Sequence, residues 1–351
     1  MIILPNHKEL QYSGRIDFED PVGPEFVFAG SYVRLCFDGD GIDVFLTNHR
    51  SYFTNYVGYI LDGRQGKFSL IQDGKEHVYQ IARGLHPGKH DLMLFKRMDS
   101  CHTYTFSGFA VPDDTVVYPC DPLPARRIEV FGDSVSCGEV SEAIDCVGAP
   151  DPEGHDGIYS NSWYSYSWMA ARKLNAEVHI TAQGGVALLD HTGWFCAPHY
   201  VGMESVYDKV RYNPELGETK PWDFSLWQPH AVILAIGQND ANPVDVMALD
   251  PQSPKAAKWK DSYQAFIETL MEKYPKAQFI LTTTILNHDR NWDKAIDEVC
   301  VRMNSPRVHH FLYTNNGCGT PGHIRVPEAE QMADELSAYI VSLGNIWNEN
   351  E

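Results

Sequence analysis

Basic residues are scarce relative to acidic ones in this chain of 351 residues. Lys and Arg total 28 against 47 Asp and Glu, and the formal net charge is −19 at pH 7. Such a charge repels nucleic acid and anionic membrane surfaces and favours neutral or cationic ligands, and it also keeps a protein soluble. We therefore expect no nucleic-acid partner and no membrane partner.

Long apolar runs are missing as well. No run of 18 apolar residues occurs, so the sequence predicts no membrane-spanning helix. The first ten residues, MIILPNHKEL, contain no basic stretch followed by a long apolar run, so the sequence predicts no signal peptide. Together these absences predict a cytoplasmic protein.

The cysteines lack metal-binding spacing. None of the eight forms a CxxC pair, which argues against a structural zinc site. Scattered cysteines in a large chain without a signal peptide are more typical of free thiols in a reducing cytoplasm than of a disulfide framework. No nucleotide-binding loop, metal cluster or internal repeat is visible, so we expect no cofactor and no metal.

Short alternating strands separated by turns fill residues 10–112. Residues 32–37 and 42–46 alternate between apolar and polar positions, and Asp-Gly pairs at 62–63 and 73–74 mark turns. This pattern is typical of an all-β sandwich or barrel. We place this domain at residues 1–118 and a proline-rich linker, PCDPLPARR, at residues 119–127.

From residue 128 onward, strands alternate with helices. Helices are predicted over residues 163–174, 259–274 and 332–343. This alternation implies a parallel sheet covered on both faces, with its chemistry beyond the carboxyl ends of the strands. The predicted strands are Ile128–Phe131, Val178–Ala182, Ala231–Ile236, Phe279–Leu286 and Val308–Tyr313.

Candidate site residues follow four of these strands. Gly132-Asp-Ser134 follows the first strand, where a serine at a strand-to-helix turn can present its hydroxyl and a backbone N–H. Asn239 follows the third strand, and its amide can donate to an oxyanion without adding charge. Gly184 and Gly185 follow the second, and either can offer an N–H. His323 lies on the last strand-to-helix loop and can activate the serine.

These motifs, in this order, resemble the blocks of the SGNH (GDSL-type) hydrolase superfamily. Residues 128–345 carry GDS, a glycine loop, GxND and a late histidine. The β-rich first domain, and WDFSLW at residues 222–227, are similar to carbohydrate esterase family 2. The resemblance implies a jelly-roll domain followed by a three-layer α/β hydrolase with a flavodoxin-like parallel sheet.

The same resemblance implies a site and a mechanism. Ser134 would be the nucleophile and His323 the base, and the oxyanion donors would be Ser134, Gly184 or Gly185, and Asn239. Most SGNH enzymes have an Asp two or three residues before the histidine, but Pro321 and Thr320 stand there. Either a backbone carbonyl or a distant carboxylate must then orient His323.

The expected reaction is removal of acetyl groups from hemicellulose-derived oligosaccharides of the mannan or xylan type. Trp194 and Tyr200, in the loop after Gly185, are candidates to line a sugar site, and packing is their alternative role. A general SGNH esterase, lipase or thioesterase would share every catalytic residue. A carbohydrate-binding protein with an inactive hydrolase domain is the further alternative. The sequence leaves the oligomeric state open.

Overall fold

The computed structural model describes residues 1–347, which form two compact units. The first contains residues 1–123, 156–158 and 210–220, and the second contains residues 124–155, 159–209 and the chain from 221 onward. Two segments that follow residue 128 in the chain therefore cluster with the N-terminal strands. Local sequence patterns do not show this grouping, because it depends on contacts between residues far apart in the chain.

Antiparallel strands build the first unit. A short turn at residues 39–40 joins two of the longer strands, β5 and β6. The strands are β1 (Ile2–Ile3), β2 (Gln11–Ser13), β3 (Ile16–Asp17), β4 (Glu25–Phe26), β5 (Tyr32–Asp38), β6 (Gly41–Arg50), β7 (Tyr56–Leu61), β8 (Arg64–Ser69), β9 (Glu76–Arg83), β10 (Lys89–Lys96), β11 (His102–Ala110) and β12 (Val116–Tyr118).

These strands form two six-stranded sheets within the described residues. One has the order β3-β4-β11-β6-β9 with β1 on β11, and the other has the order β12-β5-β10-β7-β8 with β2 on β5. Alternate residues of β5 and β6 are buried, among them Leu35, Phe37 and Val44. The alternation therefore places one face of each sheet in a shared apolar core.

The prediction of free thiols is wrong for two of the cysteines. Cys36 of β5 and Cys120 form a disulfide, and they are 84 residues apart in the chain. β12 pairs with β5 in antiparallel register, opposite Cys36, and this pairing brings Cys120 close. The other six cysteines form no disulfide in the described chain.

A five-stranded parallel sheet forms the centre of the second unit. A separate two-stranded sheet of β15 (Lys209–Arg211) and β16 (Lys220–Pro221) lies at the ends of the segment 210–220, which groups with the first unit. The strands of the parallel sheet are β13 (Arg126–Gly132), β14 (Ala176–Ala182), β17 (Ala231–Ala235), β18 (Gln278–Thr282) and β19 (Val308–His310). The order is β14-β13-β17-β18-β19, and every described pairing is parallel. This is the flavodoxin-like order that the resemblance implies, and it places the strand ends at one edge.

Helices accompany this sheet. They are α1 (Ser134–Cys137), α2 (Tyr166–Lys173), α3 (Met203–Val206), α4 (Val246–Leu249), α5 (Pro254–Lys273), α6 (Asn291–Met303) and α7 (Val326–Ser342). α6 was not predicted, although Trp292, Ala295, Ile296 and Val299 are buried at helical spacing on one face. None of the helices among residues 1–347 has the length and apolarity needed to cross a bilayer.

Candidate active site

The turn after β13 presents Ser134 at the carboxyl edge of the parallel sheet. Ser134 is the first residue of α1 and is 6% exposed. The side chain of Asp133 caps this helix by accepting a hydrogen bond from the Val135 N–H, at 3.0 Å. A Cβ at Gly132 would lie 2.1 Å from Ser136 Oγ, so this tight turn requires glycine.

Asp133 also ties the serine turn to the end of β17. Its Oδ2 accepts hydrogen bonds from the side-chain amides of Gln238 and Asn239, the latter at 3.0 Å. Burial raises the pKa of Asp133 to about 6, although the hydrogen bonds from Gln238 and from the Val135 N–H oppose the rise. The carboxyl group therefore holds the nucleophile turn and the Asn239 amide in a fixed relation.

Asn239 lies between the serine turn and the glycine loop. Its Nδ2 donates to Asp133 Oδ2 and, at 3.1 Å, to the carbonyl of Val186. Both amide hydrogens are therefore engaged, and donation to an oxyanion would require one of these bonds to be exchanged.

Gly185 offers a backbone donor in this loop. Its φ is +73°, a conformation that favours glycine, and a Cβ there would lie 2.8 Å from Trp194 Cβ. Its carbonyl accepts from the Trp194 N–H at 2.7 Å, whereas its own N–H has no hydrogen-bond partner among residues 1–347. The preceding Gln183 N–H donates to the Gly132 carbonyl at 3.2 Å and fixes the loop beside β13. Gly184 follows it, and its carbonyl accepts from the Gln183 side chain.

His323 is oriented by a carboxylate that the sequence did not identify. Its Nδ1 lies 2.7 Å from Asp151 Oδ2, and its backbone N–H donates to Asp151 Oδ1 at 2.9 Å. Of the two alternatives left open, the distant carboxylate is the one present. The two residues are 172 positions apart, and no spacing in the sequence links them.

Neighbouring residues hold Asp151 in this position. The fully buried Arg325 donates to Asp151 Oδ1 at 2.8 Å and also to the His323 carbonyl. A Cβ at Gly322 would lie 2.7 Å from Asp151 Oδ1, so glycine allows the close approach. Thr320, at one of the positions where most SGNH enzymes have Asp, instead donates to the Ala149 carbonyl at 3.2 Å.

The other ring nitrogen of His323 faces the segment that follows α1. Nε2 lies 3.7 Å from Glu139 Oε2, and the Glu139 backbone N–H donates to the Ser134 carbonyl at 3.0 Å. Asp151 thus holds the imidazole at Nδ1, and Nε2 lies near the carboxylate of Glu139, in the segment that follows the serine turn. A general base requires one ring nitrogen to be oriented in this way, so that the other can accept a proton.

The acidic surroundings shift two pKa values in opposite directions. Burial would lower the pKa of His323, but the charges of Glu139, Asp151 and Asp133 outweigh it and raise that pKa to about 9. Burial would raise the pKa of Asp151, but its hydrogen bonds and charge interaction with His323, together with Arg325, hold it well below its usual range. An imidazolium at this position is therefore strongly stabilised.

The loop that carries His323 is anchored to the end of β18. The Gly317 N–H donates to the Thr284 carbonyl at 3.1 Å, and the Asn316 side chain donates to Thr283 Oγ1 at 2.9 Å. Thr284 Oγ1 in turn donates to Gln238, which contacts Asp133. A chain of buried hydrogen bonds therefore links the histidine loop to the serine turn.

The two aromatic candidates have different environments. Trp194 is 62% exposed and adjoins Gly185 through its backbone. Tyr200 is half-buried with a φ of +51°, and its backbone bonds to Cys196 and His191. The structure therefore brings Trp194 beside the glycine loop, and it records no contact between Tyr200 and the other candidate residues.

Among residues 1–347, one group has the geometry to hold a metal ion, and it lies in the first unit. It consists of Cys36, Asp91 and Cys120. Both cysteines are in the disulfide and offer no thiolate, so this group does not fit a metal site.

Comparison with known proteins connects both units to carbohydrate esterases. Residues 12–120 match the family model described as Carbohydrate esterase 2 N-terminal. The chain is 27% identical to the cellulase/esterase CelE of Acetivibrio thermocellus over 341 residues, and 25% identical to an acetylxylan esterase/glucomannan deacetylase of Cellvibrio japonicus over 339 residues. These alignments cover 94% and 95% of this chain, but 39% and 89% of the two relatives.

A solved structure agrees with these sequence matches. It is a family two carbohydrate esterase from Clostridium thermocellum in complex with cellohexaose, with a TM-score of 0.78 and 25% identity. The superposition covers 97% of this chain and 100% of that one. These findings confirm the resemblance to carbohydrate esterase family 2 and the predicted fold class.

Proposed function

We propose that this relative of the family 2 carbohydrate esterases is a carbohydrate O-acetylesterase with Ser134 as its nucleophile and His323 as its general base. The observation that carries the proposal is the pairing of His323 Nδ1 with Asp151, which orients the imidazole beside the segment that follows Ser134. The names of the two sequence relatives support an esterase, and one names acetylxylan and glucomannan.

The reaction proceeds by two acyl transfers. His323 Nε2 takes the proton from Ser134 as Oγ attacks the ester carbonyl, and it then gives that proton to the leaving sugar oxygen. An acetyl-serine remains. A water molecule attacks it with the same proton transfers in reverse and releases acetate.

Asp151 acts as a positioning residue in this scheme. Its carboxylate keeps the proton of neutral His323 on Nδ1, so that Nε2 is free to accept, and it stabilises the imidazolium that forms. The proposed mechanism is therefore a Ser-His-Asp triad whose acid comes from a segment far from the histidine in sequence.

The oxyanion would be stabilised by three donors. The N–H groups of Ser134 and Gly185 and the amide of Asn239 lie at the same sheet edge, and Gly185 is favoured over Gly184 because its N–H makes no hydrogen bond with residues 1–347. Loss of one such donor typically lowers turnover by about 10²–10³. Asn239→Ala is therefore expected to be severely impaired.

The proposed substrates are acetylated hemicellulose oligosaccharides of the mannan or xylan type. The strongly exposed Trp194 beside Gly185 would provide a flat apolar surface on which a sugar ring can pack. The acidic net charge suits a neutral ligand.

The cytoplasmic location also remains a proposal, and the Cys36–Cys120 disulfide argues against it because such bonds are typical of oxidising compartments. Fractionation of cells producing the protein would decide.

The test compares acetate release by the wild type, Ser134→Ala and Ser136→Ala. Ser136 is the matched control, because it lies on the same short helix with its Oγ bonded to the Tyr166 hydroxyl. We expect the wild type and Ser136→Ala to release acetate from acetylated manno- or xylo-oligosaccharides in an NMR assay, and Ser134→Ala to release almost none. Substantial release by Ser134→Ala would refute the nucleophile. If the wild type releases no acetate from sugar acetates but cleaves long-chain esters or thioesters, the protein is a general SGNH hydrolase.

A further inference from the structure

The carboxylate of Glu139 occupies an unusual place beside the proposed base. It lies 3.7 Å from His323 Nε2, the nitrogen that must take the proton from the serine and pass it to the leaving oxygen. Its side chain is 14% exposed, so it is largely withdrawn from water but still accessible at the surface of the site. The orienting role at Nδ1 already belongs to Asp151, so Glu139 is not needed for that purpose.

The backbone fixes Glu139 in this position. Gly138 ends α1 with a φ of +76°, and a Cβ there would lie 2.5 Å from the Asn161 carbonyl oxygen. The Glu139 N–H donates to the Ser134 carbonyl. The carboxylate is therefore tied to the nucleophile turn by a rigid segment of five residues and does not depend on a mobile loop.

The position of the leaving group follows from the chemistry. For His323 to protonate it, the leaving sugar oxygen must come within about 3 Å of Nε2. Glu139 Oε2 is 3.7 Å from the same nitrogen, so a leaving oxygen bound there would be a near neighbour of this carboxylate. Two vicinal oxygens on a pyranose ring are separated by about one hydrogen-bond length, so a hydroxyl on the adjacent carbon is within reach of the carboxylate.

We propose that Glu139 is a specificity-determining residue that accepts a hydrogen bond from the free hydroxyl adjacent to the ester, so that the preferred substrate is a sugar acetylated at one position of a vicinal pair. This inference rests on the proposed function. An ionised carboxylate accepts hydrogen bonds and donates none. A methylated or acetylated oxygen on the adjacent sugar carbon has no proton to donate to it.

The test uses two methyl xyloside monoacetates that differ only in whether the hydroxyl next to the ester is free or O-methylated. We expect the wild type to show kcat/KM about tenfold to a hundredfold higher for the free-hydroxyl substrate, as expected for a hydrogen bond to a charged group. In Glu139→Ala the ratio should collapse toward one, and Glu139→Gln, which keeps a neutral acceptor, should give an intermediate ratio. The ratio is the readout because loss of the charge also alters His323 and would change both rates together.

Asp145→Asn is the matched control, since it removes the same charge from an exposed residue of the nearby turn. It should keep the wild-type ratio. A wild-type ratio near one, or an unchanged ratio in Glu139→Ala, would overturn the inference while leaving the esterase assignment intact. 4-Nitrophenyl acetate serves as a probe without a sugar hydroxyl. If the wild type cleaves neither sugar acetate and does not cleave this probe, the proposed function is refuted, and the inference with it.

Discussion

Asp151 connects three groups through its two carboxylate oxygens. Oδ2 meets the His323 ring, while Oδ1 accepts from the His323 N–H and from Arg325. A substitution that keeps Oδ1 preserves the hydrogen bonds from the His323 N–H and Arg325. If it also removes the charge, it tests the effect of Asp151 on the His323 ring without disrupting the fold. Asparagine is that substitution.

Asp151→Asn is expected to lower kcat by about 10²–10⁴, because its amide N–H would favour the tautomer of His323 that has Nε2 protonated. Steady-state kinetics on a sugar acetate measure this, and thermal unfolding serves as the control for a preserved fold. Activity close to that of the wild type would mean that the carboxylate is not needed for orientation.

The pH dependence of the reaction should depend on the acidic groups around His323. These are Glu139, Asp151 and Asp133, and the cation Arg325 donates to Asp151. Since the base must be neutral and its pKa is raised to about 9, kcat/KM should rise with pH up to about 9. Glu139→Gln removes one negative charge and should shift this rising limb of the kcat/KM profile to lower pH. Profiles with 4-nitrophenyl acetate between pH 5 and 10 measure the shift, and an identical limb in both proteins would contradict the electrostatic interpretation.

At the scale of elements, the loop between β19 and α7 determines whether the triad assembles. Gly322 packs closely against Asp151, since a Cβ there would lie 2.7 Å from Oδ1. The rest of the loop is fixed by bonds to the end of β18. Small displacements of this loop therefore move the base relative to the serine.

Gly322→Ala should lower kcat by about tenfold to a hundredfold, because even a shift of about 1 Å in a catalytic group is costly. Gly148→Ala is the comparison, since a Cβ there meets nothing within 4 Å although its φ is +69°. That control should lose stability but keep its turnover. Equal kcat in both variants would show that Asp151 can shift away from residue 322 without a loss of activity.

The long helix α5 provides a test of stability that is separate from catalysis. Ser253 caps it by accepting from the Ala256 N–H at 3.2 Å, and Pro254 occupies the first turn. Ser253→Ala should reduce the free energy of unfolding by about 1 kcal/mol. Urea denaturation measures the loss, which should occur without a change in kcat.

At the scale of the whole molecule, the disulfide acts on the first unit and the proposed triad lies in the second. Cys36 and Cys120 close a loop that spans most of the first unit's strands. Cross-linking a loop of this length stabilises a fold by about 2–5 kcal/mol, chiefly by restricting the unfolded chain.

In the double variant Cys36→Ser/Cys120→Ser, the first unit should therefore unfold at a lower urea concentration. Its free energy of unfolding should fall by about 2–5 kcal/mol. A calorimetric or fluorescence-detected unfolding curve, compared with that of Cys300→Ser as a free-thiol control, tests this expectation. An unchanged curve would mean that the pairing contributes nothing to the folded state.

The sequence by itself determined the periodic elements and the order of the motifs. Alternation with period two in residues 32–46 predicted strands, and apolar runs ending in Gly-Asp-Ser134 and Gly-Gln-Asn239 predicted a parallel sheet with polar groups at its carboxyl edge. These features follow from hydrogen bonding and burial over a few residues, which composition and spacing encode directly. The resemblance to family 2 esterases followed from the same local blocks.

Only the tertiary structure decided which distant residues meet. Asp151 reaches His323 across 172 positions, Cys36 reaches Cys120 across 84, and Glu139 faces Nε2 because α1 ends at Gly138. Residues 156–158 and 210–220 join the first unit for the same reason. Such contacts depend on how loops close around a completed sheet, and nothing in the local spacing of charges, thiols or glycines specifies that closure.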